Sequence, residues 1–359
     1  MHSLMRRAWV DIDLGALLRN ATTLSGQSGV PLLPMVKADA YGLGAVRVAR
    51  TLERVNPWGF GVATVPEGEE LRAAAITRPI VVFSPLLQED FDGAIRANLT
   101  PTLGDVVSIV RWKETGRPWH LAVDTGMNRA GVQWSDVESL REALVAYPPE
   151  GVFTHFHSAE RSDGTRTIQE ERFAKVLAAL PAQPTMTHAE NSGAVEHRGP
   201  SKWSVCRPGI FLYGISSGNS PEIMPEPVVS MRARVIDNRF VESGETVSYS
   251  GTYTAKSRRR IATLGVGYAD GYRRVLGNRG SVLLHGRRAP ITGVVTMDMT
   301  MIDVTDLQCE IGDIATLIGA DGDDRIDVGE LASVGELSPY EILTGLRARL
   351  PRRYTEEAP

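Results

Sequence analysis

The sequence predicts an α/β protein in which a (β/α)8 barrel is followed by a C-terminal all-β domain. Three observations predict this fold: apolar runs alternate with helical segments, a Ser-, Gly- and Pro-rich stretch follows at 216–227, and β-rich patterning begins after it. We therefore expect a barrel over residues 1–225 and a β-rich domain over residues 226–359. Pairing of the extreme N-terminus with the β domain is an alternative.

Eight apolar runs, each bounded by Gly, Pro or charge, are the candidate barrel strands. A first helix is predicted over residues 14–25, and segments of helical periodicity at 44–55, 67–75 and 168–180 lie between runs. Eight βα units fit a (β/α)8 barrel, although an open doubly wound sheet stays an alternative. The runs are residues 31–37, 58–65, 79–84, 99–103, 119–124, 151–156, 185–189 and 203–207.

Beyond residue 227 the pattern becomes that of a β domain. Alternating or continuous apolar runs are separated by turn dipeptides, and a short helix is predicted over residues 336–347. The predicted strands are residues 228–241, 260–269, 280–286, 289–304 and 313–320.

Composition excludes several classes of protein and partner. Hydrophobic residues are 42% and charged residues 23%, as in globular proteins rather than disordered or fibrous ones. Lys and Arg number 39 against 43 Asp and Glu, so we expect no nucleic-acid partner. Apolar runs are too short for a membrane span, and the pattern of the first residues leads us to expect no signal peptide. The two cysteines, Cys206 and Cys309, are expected as buried thiols, and a cytoplasmic location is predicted.

Polar residues follow several of the predicted strands, at the barrel end where active sites lie. Lys37 ends the first strand, where lost hydration would lower its pKa and make its amine a nucleophile, although a surface lysine is the alternative. Asp124 and Arg129 follow the fifth strand in DTGMNRAGV. Arg129 is a candidate partner for an anion, and a solvated turn is its alternative.

The loops after the last two strands are the usual place for a phosphate in such barrels. Ser192 lies in HAENSGAV, and Gly209 and Ile210 lie in CRPGIFLYG. A hydroxyl and backbone N–H groups at helix starts can cradle a phosphate there.

The sequence does not predict a metal site. His155 and His157 share a face of the sixth strand, and His188 or Glu160 would add a third zinc ligand, but no Cys pair or HExxH spacing supports this. Residues 321–330 fail the EF-hand pattern because their glycine and closing glutamate are misplaced.

Taken together, the motifs resemble the alanine racemases, pyridoxal-phosphate enzymes built from a barrel and a β domain. The resemblance covers nearly the whole chain. It rests on MVKADAYGLG, VDTGMNRAGV, THFHSAE, HAENSG, RPGIFLYG, VSYSGTYTA, GYADGY and TMDM, in the family's order and with closely similar spacing.

The resemblance implies a role for each matching residue. Lys37 would be the Schiff-base lysine and one proton-transfer base, and Tyr249 would be the base on the opposite face, supplied by the other subunit of a homodimer. Arg207 would lie beside the pyridine nitrogen, with His155 between it and Tyr249. The phosphate would be held by Tyr41, Ser192, Gly209, Ile210 and Tyr340, and the substrate by Arg129, Met297 and Tyr268.

The implied activity is interconversion of L-alanine and D-alanine with pyridoxal 5'-phosphate, which would supply D-alanine for peptidoglycan. Three alternatives stay open: a racemase of serine or a basic amino acid, a fold type III decarboxylase, and a non-enzymatic pyridoxal-phosphate-binding protein. Decarboxylases of that type place an acid at the pyridine nitrogen, where this chain has Arg207. The non-enzymatic proteins are single barrels without a β domain.

Three positions depart from the family pattern. Ala122 replaces a lysine that becomes carbamylated and neutralises the arginine matching Arg129, so we expect chloride or another small anion beside a desolvated Arg129. Leu43 replaces a common histidine, and Val294 replaces an arginine of the substrate access path. Access and substrate size are therefore expected to differ.

Overall fold

The structure, a computed structural model, describes residues 6–218 and 221–356. The chain divides into two compact units. We call residues 17–40 and 44–226 the barrel unit, and the residues up to Ala16, 41–43 and from Pro227 onwards the β unit. Because both units are discontinuous in sequence, the bounds 1–225 and 226–359 stay predictions.

The strands are named in chain order. They are β1 (Ala8–Asp13), β2 (Phe60–Val62), β3 (Ile80–Val82), β4 (Thr100–Leu103), β5 (His120–Asp124), β6 (Val132–Gln133), β7 (Gly151–Phe153), β8 (Met186–His188), β9 (Val229–Val241), β10 (Thr246–Val247), β11 (Tyr253–Thr254), β12 (Arg259–Leu264), β13 (Ser281–Leu284), β14 (Arg287–Pro290), β15 (Thr300–Asp303), β16 (Ile314–Asp321), β17 (Asp324–Ile326) and β18 (Arg352–Thr355).

The helices are named in the same way, leaving out short 3-10 turns. They are α1 (Leu14–Ser28), α2 (Lys37–Gly42), α3 (Ala45–Leu52), α4 (Val65–Ala73), α5 (Asp90–Arg96), α6 (Val106–Lys113), α7 (Arg141–Ala146), α8 (Thr165–Ala179), α9 (Ser192–His197), α10 (Val328–Gly335) and α11 (Pro339–Thr344).

The barrel unit is built on parallel strands in the order β2-β3-β4-β5-β7-β8, with β6 beside β5. Single parallel bridges join the first and last predicted runs to this sheet and to each other: Leu32 pairs with Cys206, and Met35 pairs with Gly61. Ser204 N–H donates to the Thr187 carbonyl at 2.8 Å, which connects the last run to β8. The predicted barrel is confirmed, with its first and last strands reduced to bridges.

Apolar burial explains why these short strands hold together. Each residue of β2, β3, β4 and β7 is buried, as parallel strands covered by helices require. Leu33, Val81, Met186 and Val205 pack in one cluster of the barrel unit. Thr64 and Glu67 form a capping box that starts α4. Both cysteines are buried free thiols, and burial raises the pKa of Cys206 to about 12.

The β unit is organised around the long strand β9. Its neighbours β1, β12 and β16 all pair with it antiparallel, and β1 also pairs parallel with β18. The N-terminal and C-terminal strands of the described chain therefore lie side by side in one sheet. Within the described residues, no helix is both long and apolar enough to span a bilayer.

Candidate active site

Lys37 begins α2, and this short helix is left-handed. Ala38, Asp39, Ala40 and Tyr41 have φ values of 53°, 54°, 51° and 57°. Residues with a Cβ lose roughly 1–2 kcal/mol each in this conformation. Two hydrogen bonds hold the strained turn, from Ala45 N–H to Asp39 Oδ1 at 2.7 Å and from Ala38 N–H to Glu67 Oε1 at 2.8 Å. The backbone that presents Lys37 is thus held in one strained conformation.

The surroundings of Lys37 favour its neutral amine. Burial lowers the pKa of Lys37, the positive charges of Arg129 and Arg207 lower it further, and the carboxylate of Glu67 opposes them. Glu67 was not among the predicted site residues, although the Thr64-x-x-Glu67 capping pattern is visible in the sequence.

Arg207 is buried at the end of the last barrel run, 3% exposed. Its Nη2 donates to the Thr154 carbonyl at 2.7 Å and the Ala189 carbonyl at 3.1 Å, and it lies 3.2 Å from His155 Nδ1. Its Nη1 lies 2.9 Å from His188 Nδ1. Burial lowers the pKa of Arg207 to about 9, so the guanidinium stays positive at neutral pH.

The two histidines beside Arg207 are neutral. Burial, and after it the charge of Arg207, lowers the pKa of His155 and of His188 well below the usual histidine range. Since arginine can only donate, the Nδ1 atom of each ring accepts. In residues 6–218 and 221–356 no group of three or more His, Cys, Asp or Glu side chains is arranged to hold a metal.

Ser192 joins two short helical starts in the barrel unit. It begins α9 after Asn191, whose side chain caps the helix by accepting from Ala194 N–H. Ser192 Oγ accepts from Gly209 N–H at 2.9 Å and Phe211 N–H at 3.3 Å, which ties α9 to the 3-10 turn that begins at Ile210. The site thus gathers a buried hydroxyl and several backbone amides, the donors that bind phosphate.

Arg129 lies on a turn that packs against β5. Its side chain is exposed in this chain, whereas Ala122 is buried beneath the turn. A Cβ on Gly131 would lie 2.7 Å from the Ala122 carbonyl oxygen, so the turn packs directly on β5. The small anion that we expect beside Arg129 stays a prediction.

The candidate residues of the β unit lie on exposed turns. Tyr249 is 71% exposed, between Ser248 and Ser250, whose φ values are 69° and 63°. Ser248 Oγ donates to the carbonyl of Val294 at 2.7 Å. Val294 is partly buried, and Leu43, the other departure from the family pattern, is fully buried.

Tyr268 and Met297 lie on two turns that pack backbone to backbone. Tyr268 N–H donates to the Thr296 carbonyl at 2.9 Å, and Ala269 N–H donates to the Met297 carbonyl at 3.0 Å. A Cβ on Gly267 would lie 2.3 Å from the Thr296 oxygen, so only glycine fits there.

A single arginine braces both turns, and the sequence analysis missed it. Arg349 Nε lies 2.7 Å from Asp270 Oδ1, and its Nη2 lies 2.8 Å from Asp298 Oδ1. The carboxylates raise the pKa of Arg349. The turns that bear Tyr268 and Met297 are thus fixed to each other by one guanidinium.

Tyr41 and Tyr340 are neighbours in the β unit, with ring centroids 5.9 Å apart. Tyr41 is buried and Tyr340 is half exposed, and burial together with Tyr340 raises the pKa of Tyr41, so its hydroxyl keeps its proton. The structure therefore gathers Lys37, His155, Ser192 and Arg207 in the barrel unit. The tyrosine pair and the two braced turns belong to the β unit.

Comparisons with known proteins agree over the whole chain. The family model for the alanine racemase N-terminal domain matches residues 12–217, and that for the alanine racemase C-terminal domain matches residues 228–354. An alanine racemase from Symbiobacterium thermophilum is 37% identical over 370 residues, covering 98% of each chain.

Solved structures agree as well. Alanine racemase from Bacillus anthracis with bound L-Ala-P superposes with a TM-score of 0.92 at 30% identity, covering 99% of this chain and 97% of that one. Alanine racemase from Bartonella henselae with covalently bound pyridoxal phosphate has a TM-score of 0.90 at 28% identity, covering 98% of this chain and 100% of that one. The chain therefore belongs to the alanine racemase family.

Proposed function

We propose that this chain interconverts L-alanine and D-alanine with pyridoxal 5'-phosphate as its cofactor. The observation that supports this most is the group formed by Lys37, His155 and Arg207 at one end of the barrel unit, in a chain of this family. We further propose a cytoplasmic homodimer with shared active sites that supplies D-alanine for peptidoglycan. Its partner molecules would be small amino acids, with no nucleic acid and no membrane.

The donors of the barrel unit fit this cofactor. The Lys37 amine, whose pKa is lowered, would hold it covalently. The Ser192 hydroxyl and the amides of Gly209 and Ile210 would hold the phosphate, together with Tyr41 and Tyr340 by analogy with the family. Arg207 has five N–H donors, and it would face the pyridine nitrogen with one that is not used by His188, Thr154, Ala189 or His155.

When bound, pyridoxal phosphate supplies an electron sink for the negative charge that proton removal leaves on the α-carbon. Arg207 moderates this sink because a guanidinium does not give up its proton at neutral pH. An acid at the same position would favour decarboxylation or transamination instead. The buried cation therefore supports a racemase over a fold type III decarboxylase.

Inversion of a stereocentre requires two bases, because a proton must leave one face of the carbon and return to the other. We assign these roles to Lys37 and to Tyr249 of the partner subunit. The tyrosine is the harder base to form, since its reference pKa of about 10 leaves roughly one in a thousand ionised at pH 7, a cost of about 4 kcal/mol.

His155 provides the stabilisation that this phenolate needs. Its Nδ1 accepts from Arg207 Nη2, so the proton of the neutral ring is on Nε2. That N–H can donate to the phenolate of Tyr249 and connect it to the positive charge of Arg207. Arg129 and the Met297 amide would hold the substrate carboxylate, and Tyr268 would line the substrate site.

Racemisation assays in both directions test the proposal. The cofactor-loaded protein is mixed with L- or D-alanine in deuterated water, and both optical rotation and loss of the α-proton are followed. We expect interconversion, with incorporation of deuterium into both enantiomers. Bound cofactor without interconversion of alanine would contradict the proposal. Faster turnover of serine or of a basic amino acid would reassign the substrate.

A further inference from the structure

A line of polar side chains runs through the core of the barrel unit, beneath Arg207. His188 Nε2 lies 2.9 Å from His120 Nδ1, and Arg207 Nη1 lies 2.9 Å from His188 Nδ1. Both histidines are fully buried, with 0% of their surface exposed. Polar rings in a core are tolerated only when they are hydrogen-bonded, so this line needs a partner at each end.

The chemistry of arginine sets the direction of every bond in this line. A guanidinium donates only, so His188 accepts at Nδ1 and carries its proton on Nε2. That N–H donates to His120 Nδ1, which places the proton of His120 on its own Nε2. Burial lowers the pKa of both rings, which keeps each ring neutral with a single N–H.

The last N–H of the line points to Glu150. His120 Nε2 is buried and has no hydrogen-bond partner among the described residues, and a carboxylate oxygen, Glu150 Oε2, lies 3.7 Å away. Glu150 comes directly before β7, at the end of the barrel opposite to Arg207, and its side chain is 38% exposed. A small rotation of that side chain would bring the carboxylate within hydrogen-bond distance of His120 Nε2 and complete the line.

Neighbouring residues pack closely around the two imidazole rings. A Cβ on Gly151 would lie 2.7 Å from the His120 ring, so glycine is required beside it. The ring of Phe153 stacks on His188 with centroids 5.0 Å apart and an interplanar angle of 11°. The two imidazoles therefore have little freedom to turn.

We propose that Glu150, His120 and His188 form a one-directional hydrogen-bond chain that positions Arg207 for the reaction. Glu150 is thus a positioning residue at the far end of the barrel. The part that concerns catalysis rests on the proposed racemase function. The direction of the hydrogen bonds does not rest on it and is tested without substrate.

Nitrogen-15 spectra of histidine-labelled full-length protein test the direction. We expect both His120 and His188 as neutral rings with the proton on Nε2, assigned by loss of signals in His120→Leu and His188→Leu. A proton on Nδ1 of His188, or a doubly protonated His188, would overturn the proposal. Because no turnover is involved, this outcome is independent of whether alanine is the substrate.

Variants of Glu150 test the positioning role without disturbing the core. Glu150→Leu removes the acceptor, and Glu150→Gln restores a neutral one; Glu142→Leu on α7 is the exposed control. We expect Glu150→Leu to lower kcat about threefold or more at nearly constant KM and to shift the His120 N–H signal. Glu150→Gln should recover most of both. If neither the signal nor kcat responds to Glu150→Leu, the positioning role is wrong.

Discussion

The candidate residues of the barrel unit and those of the β unit differ in how their own chain surrounds them. Arg207 and Ser192 are buried and hydrogen-bonded, and the pKa of Lys37 is lowered by groups of the same unit. Tyr249, by contrast, is 71% exposed, and Met297 is 53% exposed. Both lie on exposed turns, and the turn of Met297 is braced by Arg349.

This difference indicates which residues complete a site in their own chain. Buried groups have their charges and tautomers set before any ligand arrives, as a preorganised site requires. An exposed phenol has no such environment in its own chain. The contrast therefore supports the proposal that Tyr249 acts in the active site of the partner subunit, where Arg207 and His155 would stabilise its phenolate.

Removal of the lysine should have the largest effect. Lys37→Ala deletes both the covalent anchor and one base, so we expect racemisation to fall by about 10⁴-fold or more. The visible absorbance that borohydride abolishes should also disappear. Lys113→Ala, on the exposed end of α6, is the matched control. An unchanged visible spectrum in Lys37→Ala would contradict the assignment.

The exposed tyrosine should act on one face only. We expect Tyr249→Phe to slow α-proton removal from L-alanine by about 10²–10⁴-fold and removal from D-alanine far less. Deuterium exchange started from each enantiomer measures the two rates separately. Tyr253→Phe, on β11 of the same unit, is the control. Equal slowing in both directions would refute the assignment of faces.

Acid should destabilise the barrel unit through its buried histidines. His188 is held neutral, with a pKa well below that in the unfolded chain, so the unfolded state binds more protons. The stability that neutral His188 contributes is complete above about pH 6.5. As the pH falls from there toward the pKa of His188 in the folded state, the unfolding free energy decreases by about 1.4 kcal/mol per pH unit. Urea unfolding of the cofactor-free protein from pH 7 to pH 5 measures the slope.

The decrease of unfolding free energy with falling pH should be less steep in His188→Gln, because one titrating group has been removed. The exposed His157→Gln should leave it unchanged. A slope that is the same in His188→Gln and in the parent protein would show that His188 is protonated in the folded state.

The brace across the β-unit turns should affect substrate binding more than chemistry. Arg349→Met leaves Asp270 buried without its cation, so we expect a loss of about 1–3 kcal/mol in unfolding free energy. We also expect KM for alanine to rise about tenfold, because the Met297 turn loses its anchor. Arg347→Met, two residues away and exposed, is the control. An unchanged KM would show that the contacts of Arg349 do not affect substrate binding.

A substitution in the left-handed turn after Lys37 should have the smallest effect. Ala38→Gly removes a strained Cβ at an exposed position, and we expect the unfolding free energy to change by between about 0 and +1 kcal/mol. The same change in a right-handed helix, Ala174→Gly in α8, should lower it by about 1 kcal/mol. Equal losses of unfolding free energy in Ala38→Gly and Ala174→Gly would contradict the strain at Ala38.

The sequence predicted the parts of the molecule that depend on local pattern. Apolar runs located the barrel strands, and the rule that sites lie at strand ends made Lys37 and Ser192 candidate site residues. The left-handed φ values after Lys37 were not predicted, because Ala and Tyr disfavour that conformation and Asp adopts it only as a single residue.

Contacts between distant residues were missed for a different reason. Arg349 and Asp270 are 79 residues apart, and His120 and His188 are 68 residues apart. The sequence analysis considered His188 as a zinc ligand, whereas its Nδ1 accepts from Arg207. Only the folded β unit brings Arg349 to Asp270, and only the strand register of the barrel unit brings His120 to His188.

A heterodimer of two inactive variants tests the central claim most directly. Lys37→Ala and Tyr249→Phe chains with different affinity tags are co-expressed, and dimers with both tags are isolated. If each site combines Lys37 of one chain with Tyr249 of the other, one of the two sites is intact, and we predict about half the parent activity. Activity no higher than that of the parental variants would contradict the account, because both bases would then belong to one chain.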